Sequence, residues 1–169
     1  MQSKFNSLLL IIILSYILTS CGIYGFKGIS IPAEINTYLV EDFNFTDVQC
    51  ETGIEQDFSE ALRQKIRDES RLTKTENEPD ITFEGTVSAC KTNYIAPTEG
   101  STASLNRLEI SIKVTYINNK EEDEGWSKPY SAFQDYDSNA DFQSLKDDLT
   151  DQIIDDITER VFNDAFTNW

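Results

Sequence analysis

The sequence predicts an α+β fold in which two helices pack on one face of a four-stranded mixed sheet. Two segments repeat apolar residues every three or four positions, which is the period of an amphipathic helix. Two others alternate apolar and polar residues, which is the period of a strand with one buried face. The elements follow in the order β-α-β-β-β-α along 169 residues, a length that fits one domain.

The first strand is predicted from Tyr38 to Phe45, where aromatic and branched residues concentrate. Four apolar residues then recur at every fourth position: Ile54, Phe58, Leu62 and Ile66. This spacing predicts a helix over about 54–70. The helix would connect the first two strands as a right-handed crossover, so we expect those strands to run parallel.

Three further strands are predicted to form an antiparallel meander. The first has an apolar side made of Ile81, Phe83, Val87 and Ala89. The second, from Arg107 to Tyr116, alternates most clearly. The third runs from Trp126 to Tyr136, and Pro129 indicates an edge position because proline has no N–H to donate. The opposite side of the sheet is predicted to be polar: Thr82, Thr86, Ser88, Ser111 and Thr115.

The last segment predicts a helix of about 25 residues, with apolar residues from Phe142 to Ala165 spaced by three or four. Its other side carries carboxylates: Asp147, Asp148, Asp151, Asp155, Asp156 and Glu159. These groups allow two interpretations, a catalytic or metal-binding cluster and a solvated helix face. We favour the solvated face, because an amphipathic helix turns its charged side to water.

The N-terminal residues 1–20 predict a lipoprotein signal peptide. Lys4 gives a positive start, and the apolar run from Leu8 to Leu18 has eleven residues, too few to span a bilayer. The alternative is a buried N-terminal helix in a cytosolic protein. Leu18-Thr19-Ser20-Cys21 resembles the bacterial lipobox. We therefore expect Cys21 to be lipidated and to become the first residue of the mature protein.

Lipidation would make residues 21–36 a lead-in between the anchor and a single domain over residues 37–169. Two or three acyl chains hold a protein on a membrane stably. No aspartate follows Cys21, because residue 22 is Gly22. In proteobacteria that aspartate retains lipoproteins at the inner membrane, so we expect the periplasmic leaflet of the outer membrane.

The composition disfavours several function classes. The chain has a net charge of −16 and no histidine. Proteins that bind nucleic acid have the opposite charge balance, so we expect no nucleic-acid partner. The lack of histidine removes the commonest general base and zinc ligand. Catalysis is thereby disfavoured without being excluded.

Two cysteines besides Cys21 are candidates for a disulfide. Cys50 and Cys90 would lie in an oxidising compartment after export. A bridge between them would close a loop of about 40 residues and stabilise the fold by roughly 3–4 kcal/mol. The alternative is two separate buried thiols.

Element order and three short segments resemble the LptE family of lipopolysaccharide-assembly lipoproteins, in the form found in Bacteroidetes. The segments are Cys21–Gly28 with Ile31–Pro32, then Leu105–Leu108, then Phe133–Asp137; the closing Trp169 is also similar. The resemblance implies a protein that is not an enzyme, needs no cofactor or metal, plugs the wide β-barrel LptD, assists its assembly and contacts lipopolysaccharide. The alternatives are a free-standing ligand-binding lipoprotein, for instance a glycan binder, and a hydrolase that uses two carboxylates.

The resemblance also implies contact with lipid A phosphates, for which this chain offers few cations. The candidates on or near strands are Lys91, Arg107 and Lys113. The alternative is that Arg107 and Lys113 pair across strands with Glu84 or Glu109.

Overall fold

A computed structural model describes residues 30–46, 53–96 and 104–167. The strands are β1 (Thr37–Val40), β2 (Asn44–Phe45), β3 (Thr73–Lys74), β4 (Ile81–Ile95), β5 (Leu105–Asn118) and β6 (Trp126–Asp137). The helices are α1 (Ile54–Glu69) and α2 (Phe142–Phe166), and a 3-10 turn spans Glu122–Glu124. The predicted signal peptide, Cys21 and Cys50 lie outside the described residues.

The sheet has six strands, so the prediction of four strands is wrong. Its order is β3-β1-β4-β5-β6, and β2 also pairs with β4. The predicted first strand is divided because Phe43 turns into the core, where its ring lies 4.9 Å from that of Phe58. β3 has two residues, too few to show an alternation in the sequence. β1 runs parallel to β4, as the helical crossover predicted.

β4, β5 and β6 form the predicted antiparallel meander. β6 lies at the edge of the sheet, where Pro129 predicted it. The pairing of β4 with β5 shifts by one residue between Val87 and Ala89, which makes Ser88 the extra residue of a β-bulge. The prediction that Ala89 shares the apolar side is therefore wrong, since Ala89 lies opposite Ser111 and the next residue, Cys90, opposes buried Ile110.

Both helices cover the same face of the sheet. The helices contact each other as well as the strands, and β5 buries only alternate residues, among them Ile110, Ile112 and Val114. Phe58 of α1 and Ile157 of α2 have no exposed surface and join these residues in one core. The predicted arrangement of two helices on one face is confirmed, and within the described ranges no helix covers the other face.

The first described residue meets the end of the last helix. The backbone N–H of Ser30 donates to the carbonyl of Phe166 at 2.9 Å, and the Phe166 ring packs against Phe83 of β4 at 6.1 Å. The chain thus enters the domain where α2 ends. Over the described ranges, neither helix is long and apolar enough to cross a membrane.

Candidate functional site

The candidate site is the open face, which we define as the residues of β4, β5 and β6 that point away from the helices. Its centre is a strip of short hydroxyl side chains that bond one another. The hydroxyls of Ser111 and Ser131 are 2.7 Å apart, and those of Thr115 and Ser127 are 3.0 Å apart. The Ser88 hydroxyl donates to the Ser111 carbonyl at 3.2 Å. The strip is polar, its hydroxyls are already paired, and Lys113 lies on the same face between Ser111 and Thr115.

One end of the open face carries a cation held by two neighbours. Arg107 of β5 donates two hydrogen bonds, at 2.7 and 2.9 Å, to the two carboxylate oxygens of Asp135 on β6. Its guanidinium carbon lies 3.5 Å from the ring centre of Phe133, which is 49% exposed. The hydrogen bonds with Asp135 raise the pKa of Arg107, and Arg107 in turn lowers the pKa of Asp135. The guanidinium is therefore fixed in place before any ligand arrives.

The β-bulge brings Lys91 onto the same end of the open face. Beyond Ser88, the odd-numbered residues of β4 face away from the helices, so Lys91 lies opposite Glu109 and Asn93 lies opposite Arg107. Lys91 and Arg107 are thus diagonal neighbours, a relation that separates Cα atoms by roughly 7–8 Å. Without the extra residue, Lys91 would point to the helix side.

The third predicted cation is separated from the other two. Lys113 lies six positions along β5 from Arg107, about 20 Å at the rise of a strand. It lines a shallow groove of about 460 Å³ together with three carboxylates, those of Glu41, Asp42 and Glu84. A phosphate in this groove would meet more negative than positive charge. The structure therefore groups Lys91 with Arg107 and leaves Lys113 in an acidic setting.

The structure shows a cross-strand ion pair at Arg107, but with a partner other than the two that the alternative prediction named. Arg107 does pair across strands, but with Asp135 and not with Glu84 or Glu109. The reason is register, because Asp135 of β6 lies directly opposite Arg107. Sequence reasoning also missed Phe133, which is exposed on the open face. The exposed Tyr94 lies opposite Asn106 on the helix side of the sheet and is not part of this cluster.

A usable signal for this cluster was nevertheless present in the sequence. The segments Leu105–Leu108 and Phe133–Asp137, both singled out for the family resemblance, pair with each other residue by residue, from Leu105 opposite Asp137 to Leu108 opposite Gln134. Two separate patches in the sequence are therefore one patch on the sheet.

The carboxylates of α2 form a solvated face in the structure. All six that the sequence singled out are exposed: Asp147, Asp148, Asp151, Asp155, Asp156 and Glu159. Across from them, the pKa of Asp57 on α1 is raised by partial burial and then by the charges of Asp151, Glu55 and Asp147. Among the residues with a described position, no group of three or more acidic or cysteine side chains is arranged to hold a metal ion.

Cys90 lies partly buried against the core and is disulfide-bonded. Because Cys50 falls outside the described ranges, the Cys50–Cys90 pairing stays a prediction. β2 runs parallel to β4, with Phe45 opposite Val87. The four residue steps from Thr46 to Cys50 can span up to ~14 Å, and Cys90 lies three positions beyond Val87, about 10 Å along β4. The pairing is therefore within reach of the chain.

These features define a class of protein: a two-layer α+β domain with one face covered by helices and one open polar face. Residues 27–165 match the family described as "LptE: Lipopolysaccharide-assembly". The chain belongs to the LptE family, which is a family of non-catalytic lipoproteins, and its role lies in lipopolysaccharide assembly. The resemblance stated from the sequence is confirmed.

Solved structures share the fold at low sequence identity. A Xanthomonas campestris protein is 10% identical with a TM-score of 0.59, over 83% of this chain and 91% of that chain. A minor lipoprotein from Acinetobacter baumannii is 8% identical with a TM-score of 0.52, over 77% and 91%. A neuraminyllactose-binding hemagglutinin homolog from Helicobacter pylori is 10% identical with a TM-score of 0.51, over 84% and 89%. These likenesses establish the fold alone. No curated protein sequence matches the chain.

Proposed function

We propose that this protein is an outer-membrane lipoprotein that pairs with an LptD-type β-barrel as its plug, assisting barrel assembly and the insertion of lipopolysaccharide. The observation that carries the proposal is the open face, because its short hydroxyls already bond one another. The interior wall of a wide barrel is polar. The paired hydroxyls can lie against such a wall without leaving their own donors unpaired.

Lipidation of Cys21 is part of the proposal. Ser30 is the first residue that the structure describes, and its N–H bonds to Phe166. The nine residue steps from Cys21 to Ser30 can span at most about 30 Å when fully extended. Acyl chains on Cys21 would therefore hold this end of the domain within that distance of the periplasmic leaflet, beside a barrel embedded in the same membrane.

Direct contact with lipopolysaccharide would fall to Lys91 first. Arg107 already donates two hydrogen bonds to Asp135, and Lys113 shares its groove with three carboxylates. Lys91 is exposed and stands beside Arg107 on the open face. A phosphate at Lys91 would gain from the neighbouring guanidinium without requiring the Arg107–Asp135 pair to open.

Photo-cross-linking in intact cells tests the plug. A photoreactive residue is placed at Thr86 or Thr115 on the open face, and at Gln64 on the outer side of α1 as a matched control. We expect the two open-face positions to cross-link to a large β-barrel and Gln64 to do so much less. Recovery of no barrel from any position would refute the plug, and recovery from Gln64 alone would refute the open face as the interface. The glycan-binding alternative is not favoured, because the Helicobacter likeness concerns the fold only.

A further inference from the structure

The outer edge of β6 is protected along its first half only. β6 is the last strand of the sheet. Pro129 has no N–H, and an Arg160 nitrogen donates to the carbonyl of Ser131 at 2.5 Å. Lys128 and Tyr130 both donate to Asp164 of α2, at 2.9 and 2.8 Å. Proline, charged side chains and helix cover are the devices by which proteins shield exposed strand edges.

Ladder geometry shows which backbone groups face outward beyond this half. In an antiparallel pair, the N–H and C=O of one residue point to the same side, and the side alternates from residue to residue. The Ser131 carbonyl faces away from β5, because it accepts from Arg160. Phe133 and Asp135 lie two and four positions after Ser131, so their N–H and C=O groups also face outward. Pro129 lies two positions before Ser131, on the same outward side. β6 therefore tolerates the proline, because its missing N–H would not have bonded to β5.

The stretch from Ser131 to Asp135 is less protected: the Ser131 carbonyl is capped by Arg160, and the outward N–H and C=O groups that follow belong to Phe133 and Asp135. In the part of the chain that the structure describes, no backbone group pairs with the outward N–H of Phe133 or Asp135. The stretch ends at Asp137, whose carbonyl accepts from the Ala140 N–H at 3.0 Å. The exposed Phe133 ring, held by Arg107, borders it on the open face.

We propose that the β6 edge from Ser131 to Asp135 is a strand-addition site, where an extended main-chain segment of the barrel partner pairs with it. This inference rests on the proposed function. Strand addition draws its affinity from main-chain hydrogen bonds, and a segment of about five residues matches the outward groups along this stretch.

Charge identifies the occupant as a neutral or basic segment of another protein. The chain carries a net charge of −16, so a second copy would approach against strong repulsion. On the helix side of the edge, Asp156 pairs with Arg160 at 3.3 Å, next to the capped Ser131 carbonyl. Asp156 and Asp135, the carboxylates that border the edge, are each paired with an arginine already, so the net charge of the chain is what favours a neutral or basic segment.

Two variants at Phe133 distinguish the contribution of its backbone N–H from the contribution of its ring. Phe133→Pro removes the outward N–H and the ring, whereas Phe133→Ala removes the ring and keeps the N–H. Both keep the ladder with β5, because the N–H of Phe133 points away from that strand. Each full-length variant is tagged, and the barrel recovered from solubilised membranes is quantified. We expect Phe133→Pro to recover at least about tenfold less barrel than Phe133→Ala.

The outcomes distinguish the two proposals. If the wild-type protein recovers no barrel, the proposed plug fails, and the strand-addition site fails with it. If wild type and both variants recover equal amounts, the plug stands and the strand-addition site is refuted. Equal losses in both variants would make the ring the contact and would also refute strand addition.

Amide hydrogen exchange supplies a measurement that needs no substitution. In the wild-type chain purified alone, the amides of Phe133 and Asp135 should exchange fast, while those of Ala132 and Gln134 are protected by β5. In the co-purified complex, Phe133 and Asp135 should exchange at least about tenfold more slowly. Unchanged exchange in a complex that contains the barrel would overturn the site. Slow exchange in the free chain, together with a dimeric mass, would assign the edge to a second copy and overturn it as well.

Discussion

Arg107 and Asp135 face each other across β5 and β6 and are joined by two hydrogen bonds of 2.7 and 2.9 Å. The pair unites the two segments that carry the family resemblance, because these segments lie in register on neighbouring strands. It also commits the guanidinium of Arg107 to a carboxylate and to the Phe133 ring. The ion pair therefore affects which of the candidate cations, Lys91, Arg107 or Lys113, can bind an anionic ligand.

The first prediction concerns lipopolysaccharide binding by the purified domain. We expect Lys91→Gln to weaken binding of labelled lipopolysaccharide about tenfold, the effect of losing one hydrogen bond to a charged group. Lys113→Gln removes the same charge and serves as the control, with little effect expected. A larger loss from Arg107→Gln than from Lys91→Gln would show that Arg107 leaves Asp135 to bind phosphate.

The second prediction concerns Gly85. A Cβ at this position would lie 2.0 Å from the Lys113 carbonyl oxygen and 2.6 Å from Cε1 of Phe43. Gly85→Ala should lower the free energy of unfolding by at least about 3 kcal/mol, because backbone atoms of β5 would have to move. Urea denaturation measures the loss.

Gly53→Ala provides the comparison for Gly85. Gly53 has φ +116, and its Cβ would meet nothing nearer than 4.0 Å. Its substitution strains the backbone without a clash and should cost about 1–2 kcal/mol, less than Gly85→Ala. Equal losses at the two positions would contradict the close contact at Gly85.

The third prediction concerns the stability of the fold in acid. Asp80 accepts from the Asn36 and Thr37 amides at 2.7 and 3.0 Å and pairs with Lys120 at 2.9 Å. The hydrogen bond from Lys120, followed by those from the two amides, lowers the pKa of Asp80 to about 2. Since an unfolded aspartate titrates near ~3.9, the stabilisation is complete above that pH and is lost as the pH falls towards 2.

The measurement is the free energy of unfolding of wild type and Asp80→Asn between pH 7 and pH 2. The wild type should lose roughly 1–2 kcal/mol more than the variant over this range, because only the wild type must protonate the carboxylate. Asp155→Asn, an exposed change on α2, controls for the loss of one charge. Parallel curves for wild type and Asp80→Asn would contradict the prediction.

The fourth prediction concerns the proposed disulfide. Cys50→Ser and Cys90→Ser should each lower the free energy of unfolding by roughly 3–4 kcal/mol, the value for closing a loop of about 40 residues. Reducing agent should lower the stability of the wild type by a similar amount and leave both variants unchanged. Detection of free thiols at both positions in the unreduced wild type would rule out the pairing.

The fifth prediction concerns the lipid anchor. Cys21→Ser removes the thiol that would accept the acyl group, so the precursor should remain unprocessed and unlipidated. Metabolic labelling with palmitate and membrane fractionation measure both effects, and Ser20→Ala serves as a control that keeps the thiol. Normal maturation and membrane retention of Cys21→Ser would rule out lipidation at this position.

The helices could be predicted from the sequence because their burial depends on local spacing. The four-residue repeat from Ile54 to Ile66 identified α1, predicted over 54–70 and observed over Ile54–Glu69. The longer stripe identified α2 over Phe142–Phe166. In both cases the residues that set the pattern are those that reach the core.

The details of the sheet could not be predicted, because they depend on neighbouring strands. Ser88 fits the alternation of β4 when the strand is considered alone, and only its pairing with β5 reveals the bulge. The bulge then decides that Lys91 joins Arg107 on the open face. Asp135 was missed as the partner of Arg107 for the same reason, since the register of β6 on β5 is a tertiary property.

The bond between Ser30 and Phe166 has a practical consequence for anyone labelling this protein. A fluorescent or affinity tag fused after Thr167 would lie beside the chain where it enters at Ser30. The tag would crowd the lead-in that the proposal tethers to the membrane there. β4 ends at Ile95, twelve residues beyond Phe83 and about 40 Å away at the rise of a strand. Reporters inserted between Ile95 and Leu105 would leave the tethered end free.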